Sequence, residues 1–277
     1  TLITSSAASD VYKRQAPINP EIIQLFHSVG INIYEAYGLT ETTAGMTFNW
    51  KGNNKTGSIG VPCPGTEVRV EEDGELSFRG DNIMKGYYKN PEANAEVFDG
   101  DWFKTGDLGR IDGEGYIHIT GRKKEIYVLS GGKNVAPLVV EETMKSIPVI
   151  SQVFLVGDGR KFCSALVTLD VGVILRDNLG MNPDKVPRDP MEQIEELERR
   201  GHKLSDFVES EEVRSDIESQ ISELNKRFMN PEQIKKFTIL PRDLNIDSGE
   251  LTPTLKIRRK QIRENWADEI EAMYSEA

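Results

Sequence analysis

Four stretches of this chain combine residue types suited to a phosphorylated ligand. In YEAYGLTETTAG, residues 34–45, an aromatic ring, a glycine, hydroxyls and one carboxylate fall on a loop after a short strand. Gly38 lets the backbone approach a ligand closely, and a hydroxyl such as that of Thr40 suits phosphate oxygens. Glu41 could hold a Mg²⁺ ion bridging phosphates; the competing reading is a polar turn. In WFKTGDLGRIDGEGYIHITGRKKE, residues 102–125, Asp107 stands between a glycine and an apolar residue. A carboxylate there can accept both hydroxyls of a ribose, and Arg122 can donate to the same sugar or its phosphate. Asp107 could equally be a turn cap. Gly131 and Gly132 in VLSGGKNVAP either make a hairpin turn or let an extended thiol chain pass over the backbone. In DSGELTPTLKIRRKQIR, residues 247–263, five cations fall within eight residues: Lys256, Arg258, Arg259, Lys260 and Arg263. Lys256 reads as lying near the start of a helix, where a cation opposes the macrodipole. It is either a fraying surface charge or a lysine wanted for chemistry.

The rest of the composition narrows the field. The chain has 277 residues, a net charge of −11, 38% hydrophobic and 29% charged content. That is the mix of a soluble globular protein, with room for one large domain or two smaller ones. Net negative charge argues against nucleic acid as the main partner, and against KIRRK as a site for an anionic polymer. Peripheral contact of that stretch with anionic lipid stays open. No apolar run is long enough to span a bilayer and no secretory signal is visible. Cys63 and Cys163 fit no metal spacing and suggest buried thiols in a reducing compartment, so the expected location is cytoplasmic. The histidines, His27, His118 and His202, lie near no Cys or second His. That disfavours a Ser-His or Cys-His nucleophile, and neither a GxSxG elbow nor a Walker loop is present.

Those stretches need elements to hold them. Residues 16–30 read as a helix capped by Asn19 with Pro20 at its first position, its apolar face built from Ile22, Ile23, Leu25 and Phe26. INIYEAYG, 31–38, reads as a short strand. VRVEEDGELSFRG is a hairpin across Asp73-Gly74, RIDGEGYIHIT a second hairpin, and NPEANAEVF a short helix. Beyond GRKKE come a strand with a Gly-Gly turn, a helix in PLVVEETMKSI and two strands in SQVFLVGDGRKFCSALVTLD. Helices are expected over 190–200, 207–228 and 256–275, a last strand in KFTILPR, and a surface loop over 176–189. Strands and helices mix without strict alternation, which predicts an α+β fold. The first fifteen residues look foreign to the rest and are expected to be a non-native leader.

In this order and spacing the stretches resemble the adenylate-forming superfamily of acyl-CoA synthetases, luciferases and adenylation domains. YGLTE, GELSFRGDNIMKGYYKNPEAN, FKTGDLGRIDGEGYIHITGRKKEI and PTLK carry the likeness, from about residue 16 to the C-terminus. GRKKE, GGKNVAP, RKFCSALVTLD and SGELTPTLK look most like long-chain fatty acyl-CoA synthetases, including the bubblegum type. The resemblance implies that residues 16–120 end a large AMP-binding domain, 121–125 form a hinge and 126–277 a small C-terminal lid domain. It implies that Tyr37 stacks on adenine, with Gly38 beside it, that Thr40 contacts the α-phosphate and that Glu41 holds Mg²⁺. Asp107 and Arg122 would bind the ribose, Lys124 would be the hinge, Gly131 and Gly132 would line the CoA channel, and Lys256 would be the adenylation lysine. The implied reaction uses ATP, Mg²⁺ and CoA to convert a medium- or long-chain fatty acid to acyl-AMP, then acyl-CoA. Adenylation of an aryl or amino acid, or a noncatalytic AMP-binding module, are the alternatives. Two departures stand out. The family's glycine before the lysine is Leu255 here, as in fatty acyl-CoA synthetases, and the family's Ser/Thr/Gly-rich phosphate loop is absent. The chain is therefore expected to be a C-terminal part, inactive alone, with uncovered apolar faces.

Overall fold

The computed structural model describes residues 20–253 and 256–275. The expected leader and the Asn19 cap lie outside the described residues, as do Thr254 and Leu255. Helix α1 (Pro20–Ser28) begins at the proline, whose missing N–H costs nothing at that position. Of its expected apolar face, Ile23 is buried but Leu25 is 65% exposed. Val29, Ile31, Phe48 and Trp50 are exposed too, in line with the uncovered apolar surface expected here. Three two-residue strands, β1 (Ala36–Tyr37), β2 (Thr47–Phe48) and β3 (Val61–Pro62), pair antiparallel in that order. The strand expected over 31–38 thus shrinks to β1.

A second sheet contains β4 (Thr66–Val70), β5 (Glu75–Gly80), β6 (Phe98–Asp99), β7 (Trp102–Ile111) and β8 (Ile117–Arg122). The two hairpins expected from Asp73-Gly74 and from RIDGEGYIHIT are its β4–β5 and β7–β8 pairs. Helix α2 (Pro91–Val97) leads into β6, its start capped by the Asn90 side chain on the Ala93 N–H at 3.1 Å. β7 pairs β5 on one edge and β6, then β8, on the other. Met46, Leu76, Phe78 and Ile117 make the core of this part.

After Arg122 a 3₁₀ turn, Lys123–Glu125, leads to the small hairpin β9 (Tyr127–Val128) and β10 (Asn134–Val135), then α3 (Pro137–Met144). A three-stranded sheet follows in the order β11 (Ile150–Val156), β12 (Cys163–Leu169), β13 (Ile234–Ile239). β13 runs parallel to β12, and the chain between them forms α4 (Val171–Val173), α5 (Pro190–Arg199), α6 (Leu204–Val208) and α7 (Glu211–Asn225). Every residue of β12 is buried, because helices cover both faces of the sheet. Val153 and Leu155 pack with α3, α5 and α7, while Phe154 and Val156 pack with α8 (Arg259–Asn265) and α9 (Ala267–Ser275). Each fully buried Leu, Ile or Phe there contributes about 1.5–3 kcal/mol. The α+β expectation holds.

Three expected helical boundaries move. The helix read over 207–228 is two, α6 and α7, split where Ser210 caps α7 by accepting from the Val213 N–H. Periodicity alone misses the break because Phe207 and Val213 join the same core. The last helix starts at Arg259 rather than 256 and breaks at Trp266. The expected loop 176–189 is partly helical, with a π turn over Ile174–Asn178 and a 3₁₀ turn over Pro183–Lys185.

Candidate functional site

Asp107 lies within β7 and is buried. The strand is irregular beside it: the β5–β7 register shifts between Glu75 and Ser77, and Gly106 sits at φ 74, a conformation that L side chains rarely adopt. The bulge is held from three sides. Gly106 N–H donates to Glu75 Oε1 at 2.8 Å, the Thr105 hydroxyl donates to the Leu76 carbonyl at 2.8 Å, and Asp107 N–H donates to Thr105 Oγ1 at 3.1 Å. Bulges of this kind re-aim a side chain. Here the sequence Thr-Gly-Asp serves a mid-strand bulge, so Asp107 is not a turn cap.

The re-aimed carboxylate meets two predicted site residues from distant parts of the chain. Arg122 Nε donates to Asp107 Oδ1 at 2.8 Å, because β8 sets Arg122 directly opposite Asp107. The Tyr37 hydroxyl donates to Asp107 Oδ2. Burial, then the Asp107 charge, hold that phenol protonated far above its ordinary range, so it remains a donor. Asp107 likewise raises the Arg122 guanidinium.

Thr40 and Glu41 start a 3₁₀ turn, Thr40–Thr42, with Thr40 exposed. The loop then passes through Thr43 and Ala44, both at positive φ. Gly38 has no room for a side chain, since a Cβ would fall 1.4 Å from the Ala44 carbonyl oxygen. The close approach read into Gly38 is thus used by the protein's own loop. Among the described residues no three His, Cys, Asp or Glu side chains gather as a metal cluster. A single carboxylate suits Mg²⁺, which usually takes one or two carboxylates plus substrate phosphates.

Lys124 stands between two anchors. Lys123 pairs with Asp73 and with buried Glu75, at 2.5 and 2.8 Å, in the β4–β5 hairpin. Glu125 pairs with Arg259 of α8 at 3.3 Å. Lys124 itself is exposed. Gly131 and Gly132 form the β9–β10 turn, where Gly132 N–H donates to the Leu129 carbonyl at 2.8 Å and Gly132 takes φ 72. Nothing lies within 4 Å of a Cβ built on either glycine, so the outer face of the turn is open.

Lys256 is not on a helix. It belongs to a closed loop in which Arg258 N–H donates to the Glu250 carbonyl at 2.8 Å, Leu251 bridges Ile257, and Thr252 N–H donates to the Lys256 carbonyl at 2.9 Å. Lys256 N–H donates to Thr252 Oγ1 at 3.0 Å, and the side chain is exposed. Buried Glu250 roots the loop, accepting from Arg242, Ser248, Asn265 and the Trp266 indole. Burial raises its pKa, but these donors outweigh that and bring it to about 2. Lys256 makes no side-chain contact with Tyr37, Asp107 or Arg122.

A solvated position is the ordinary expectation for the four cations that follow Lys256, namely Arg258, Arg259, Lys260 and Arg263. Lys260 is solvated, at 90% side-chain exposure, but Arg259 turns inward. It holds both oxygens of buried Glu141 at 2.7 Å and reaches the Tyr127 hydroxyl at 3.3 Å. Glu75, Lys123, Glu141, Glu250 and Arg259 were missed as organisers of the site. Only Glu141 carried a signal, an acidic residue within the apolar face of α3.

Residues 6–88 match the AMP-binding enzyme family, and residues 124–205 and 197–277 match the AMP-binding enzyme C-terminal domain. The chain belongs to the AMP-binding enzyme family. The first match opens inside the stretch expected to be foreign. A long-chain-fatty-acid–CoA ligase, FadD15 of Mycobacterium bovis, is 38% identical over 265 residues, covering 94% of this chain and 41% of the relative. The human long-chain-fatty-acid–CoA ligase ACSBG1, 35% identical over 271 residues, is covered to 37%, with 94% of this chain matched. The chain thus spans about two fifths of the length of these relatives. Among solved structures, the A domain of carboxylic acid reductase from Segniliparus rugosus aligns with TM-score 0.68 at 22% identity, over 95% of this chain and 38% of that one. O-succinylbenzoate coenzyme A synthetase from Bacillus subtilis aligns with TM-score 0.61 at 22% identity, over 90% and 44%. Both show the fold of adenylate-forming enzymes. Among the described residues no helix is long and apolar enough to cross a membrane.

Proposed function

We propose that this chain works, as part of a longer protein, in ATP-dependent activation of a medium- or long-chain fatty acid. The observation that carries the reading is the buried Asp107 carboxylate, shared by Tyr37 and Arg122 just before the turn that holds Lys124. Exchange of these hydrogen bonds for ribose hydroxyls would seat a nucleotide there. The fatty-acid substrate is supported by the two relatives named above, both called long-chain-fatty-acid–CoA ligases.

In the first step a carboxylate oxygen of the fatty acid attacks the α-phosphorus of ATP. An acyl–phosphate bond forms, the bond to the β-phosphate oxygen breaks, and pyrophosphate leaves. Tyr37 offers its ring to the adenine, Asp107 and Arg122 hold the ribose, and Thr40 donates to the α-phosphate. Mg²⁺, when bound, neutralises phosphate charge, and Glu41 is the residue that would hold it. Lys256 brings a cation to two reacting anions. A unit charge pair about 4 Å apart gains roughly 4 kcal/mol at an effective dielectric near 20. In the second step the CoA thiolate attacks the acyl carbonyl, a thioester forms and AMP leaves with the electron pair of the broken bond.

Residues 16–120 would serve as the end of the larger unit, 121–125 as its hinge and 126–277 as the lid. The two anchors support Lys124 as pivot, since Lys123 is tied to one side and Glu125 to the other. The lid would present Lys256 in the first step and the open Gly131-Gly132 turn to the CoA arm in the second. The test is fatty-acid-dependent ATP–pyrophosphate exchange in the full-length protein. Asp107→Ala should weaken ATP binding; an unchanged Kd would sink the ribose role. Absence of exchange with any fatty acid, where an aryl or amino acid supports it, would overturn the substrate.

A further inference from the structure

The 39–45 loop is braced by its own turn, in which Thr42 N–H and Ala44 N–H donate to the Leu39 carbonyl, but it is strained beyond that turn. Thr43 at φ 53 and Ala44 at φ 84 both lie where non-glycine residues carry a conformational cost. Such a loop keeps its shape only if neighbours over-determine it. Besides the Cys63 thiol, which donates to the Gly45 carbonyl at 3.9 Å, the neighbours come from residues 82–87, which follow β5. The Thr43 hydroxyl donates to the Asn82 carbonyl at 2.9 Å, Asn82 Nδ2 donates to the Gly45 carbonyl at 3.3 Å, and Met84 N–H donates to the Glu41 carbonyl at 2.8 Å. These bonds hold the backbone. A fourth reaches the carboxylate itself: the Tyr87 hydroxyl donates to Glu41 Oε1 at 2.9 Å.

We propose that Tyr87 is a positioning residue for Glu41, aiming its carboxylate at the divalent cation of the bound nucleotide. The inference rests on the function proposed above, in which Glu41 holds Mg²⁺. Tyr87 is itself fixed, because its backbone N–H donates to Asn94 Oδ1 at 2.7 Å and its carbonyl accepts from Asn94 Nδ2 at 3.0 Å. Gly86 permits this contact, since a Cβ there would fall 2.9 Å from the Asn94 side chain at φ 131. A hydrogen bond on Oε1 locks the carboxylate rotamer and leaves Oε2 with its lone pairs free. Groups that orient a ligating carboxylate typically change metal affinity or activity by roughly 10–100-fold when removed.

The experiment uses the full-length protein and isothermal titration with ATP, once with Mg²⁺ and once with EDTA. Tyr87→Phe keeps the ring and deletes the donor. It should weaken the Mg²⁺–ATP Kd roughly tenfold while leaving the metal-free ATP Kd unchanged. Asn82→Ala loosens the same loop without touching the carboxylate and should shift both Kd values together. Equal losses with and without Mg²⁺ in Tyr87→Phe, or no loss at all, would overturn the inference. Glu41→Gln separates this from the underlying reading. If Glu41→Gln leaves the Mg²⁺ dependence of ATP binding intact, the metal role of Glu41 fails. If it abolishes that dependence while Tyr87→Phe matches the parent, only the role of Tyr87 fails.

Discussion

Arg259 and Glu141 form a doubly hydrogen-bonded ion pair inside the C-terminal part of the chain, Nη1 to Oε1 and Nη2 to Oε2 both at 2.7 Å. Glu141 Oε1 also accepts the Leu155 N–H at 2.8 Å, so the pair ties α8 to α3 and to β11. Arg259 lies three residues after Lys256 and also reaches Glu125 beside the pivot. One guanidinium therefore connects the Lys256 loop to the turn about which it is proposed to swing. Arg259→Met leaves the Glu141 carboxylate buried without its cation. The expected loss is about 3–5 kcal/mol of stability, read by denaturant unfolding. Arg259→Met combined with Glu141→Met should recover much of it; a single variant as stable as the parent would refute the buried-pair account.

Gly106→Ala tests the bulge. A Cβ at residue 106 has open space around it, so the expected penalty comes from the positive φ alone. It should cost about 1–2 kcal/mol, or relax the bulge and turn Asp107 away. The first outcome appears as lower stability in unfolding curves, and the second as a weaker ATP Kd of the full-length protein. Unaltered affinity and stability would mean that the bulge does not aim Asp107.

Lys256→Ala should separate the two half-reactions. ATP–pyrophosphate exchange should fall several hundred-fold or more, on the order of the 4 kcal/mol Coulomb gain. Thioester formation from supplied acyl-AMP should continue near the parent rate. Normal exchange in the variant would end the assignment of Lys256 to the first step.

Glu250 predicts an acid limit. Its carboxyl is held at about 2 in the folded protein against an ordinary 4.5. A depressed carboxylate contributes stability above the unfolded value and loses it as pH falls through the folded value. The contribution is on the order of 2–3 kcal/mol, intact above about pH 4.5 and shrinking toward pH 2. Glu250→Gln should lower stability at neutral pH and flatten that acid limb. An unchanged acid limb in unfolding curves from pH 2 to 7 would rule Glu250 out as its source.

The pivot makes a kinetic prediction. Lys123→Met frees residue 123 from Asp73 and Glu75 but leaves the Glu75 bond to Gly106 in place. ATP affinity should hold while the ratio of the two half-reaction rates changes. A loss of ATP affinity with an unchanged ratio would move Lys123 from the pivot to the nucleotide site.

The sequence by itself determined what local chemistry controls. Asp73-Gly74 made a hairpin, Pro20 and Pro91 began helices, and YGLTE, TGD, GRKKE and PTLK named the candidate residues in order. Local signals are legible because turn and cap preferences act over a few residues. Tertiary structure decided the rest. Whether Asp107 capped a turn or met Tyr37 depended on a β7 bulge held by Glu75, thirty-one residues earlier. The fate of Arg259 depended on Glu141, 118 residues away. Helix α7 began at Glu211, just after the Ser210 cap, because a cap outweighed a periodicity that both helices share. Lys256 sits on a loop rather than a helix because Glu250, buried among Arg242 and Trp266, pulls the chain into a closed turn. A charged residue reads as solvated from sequence because burial is costly without a partner. Only folding brings the partner, and the pair then organises the site.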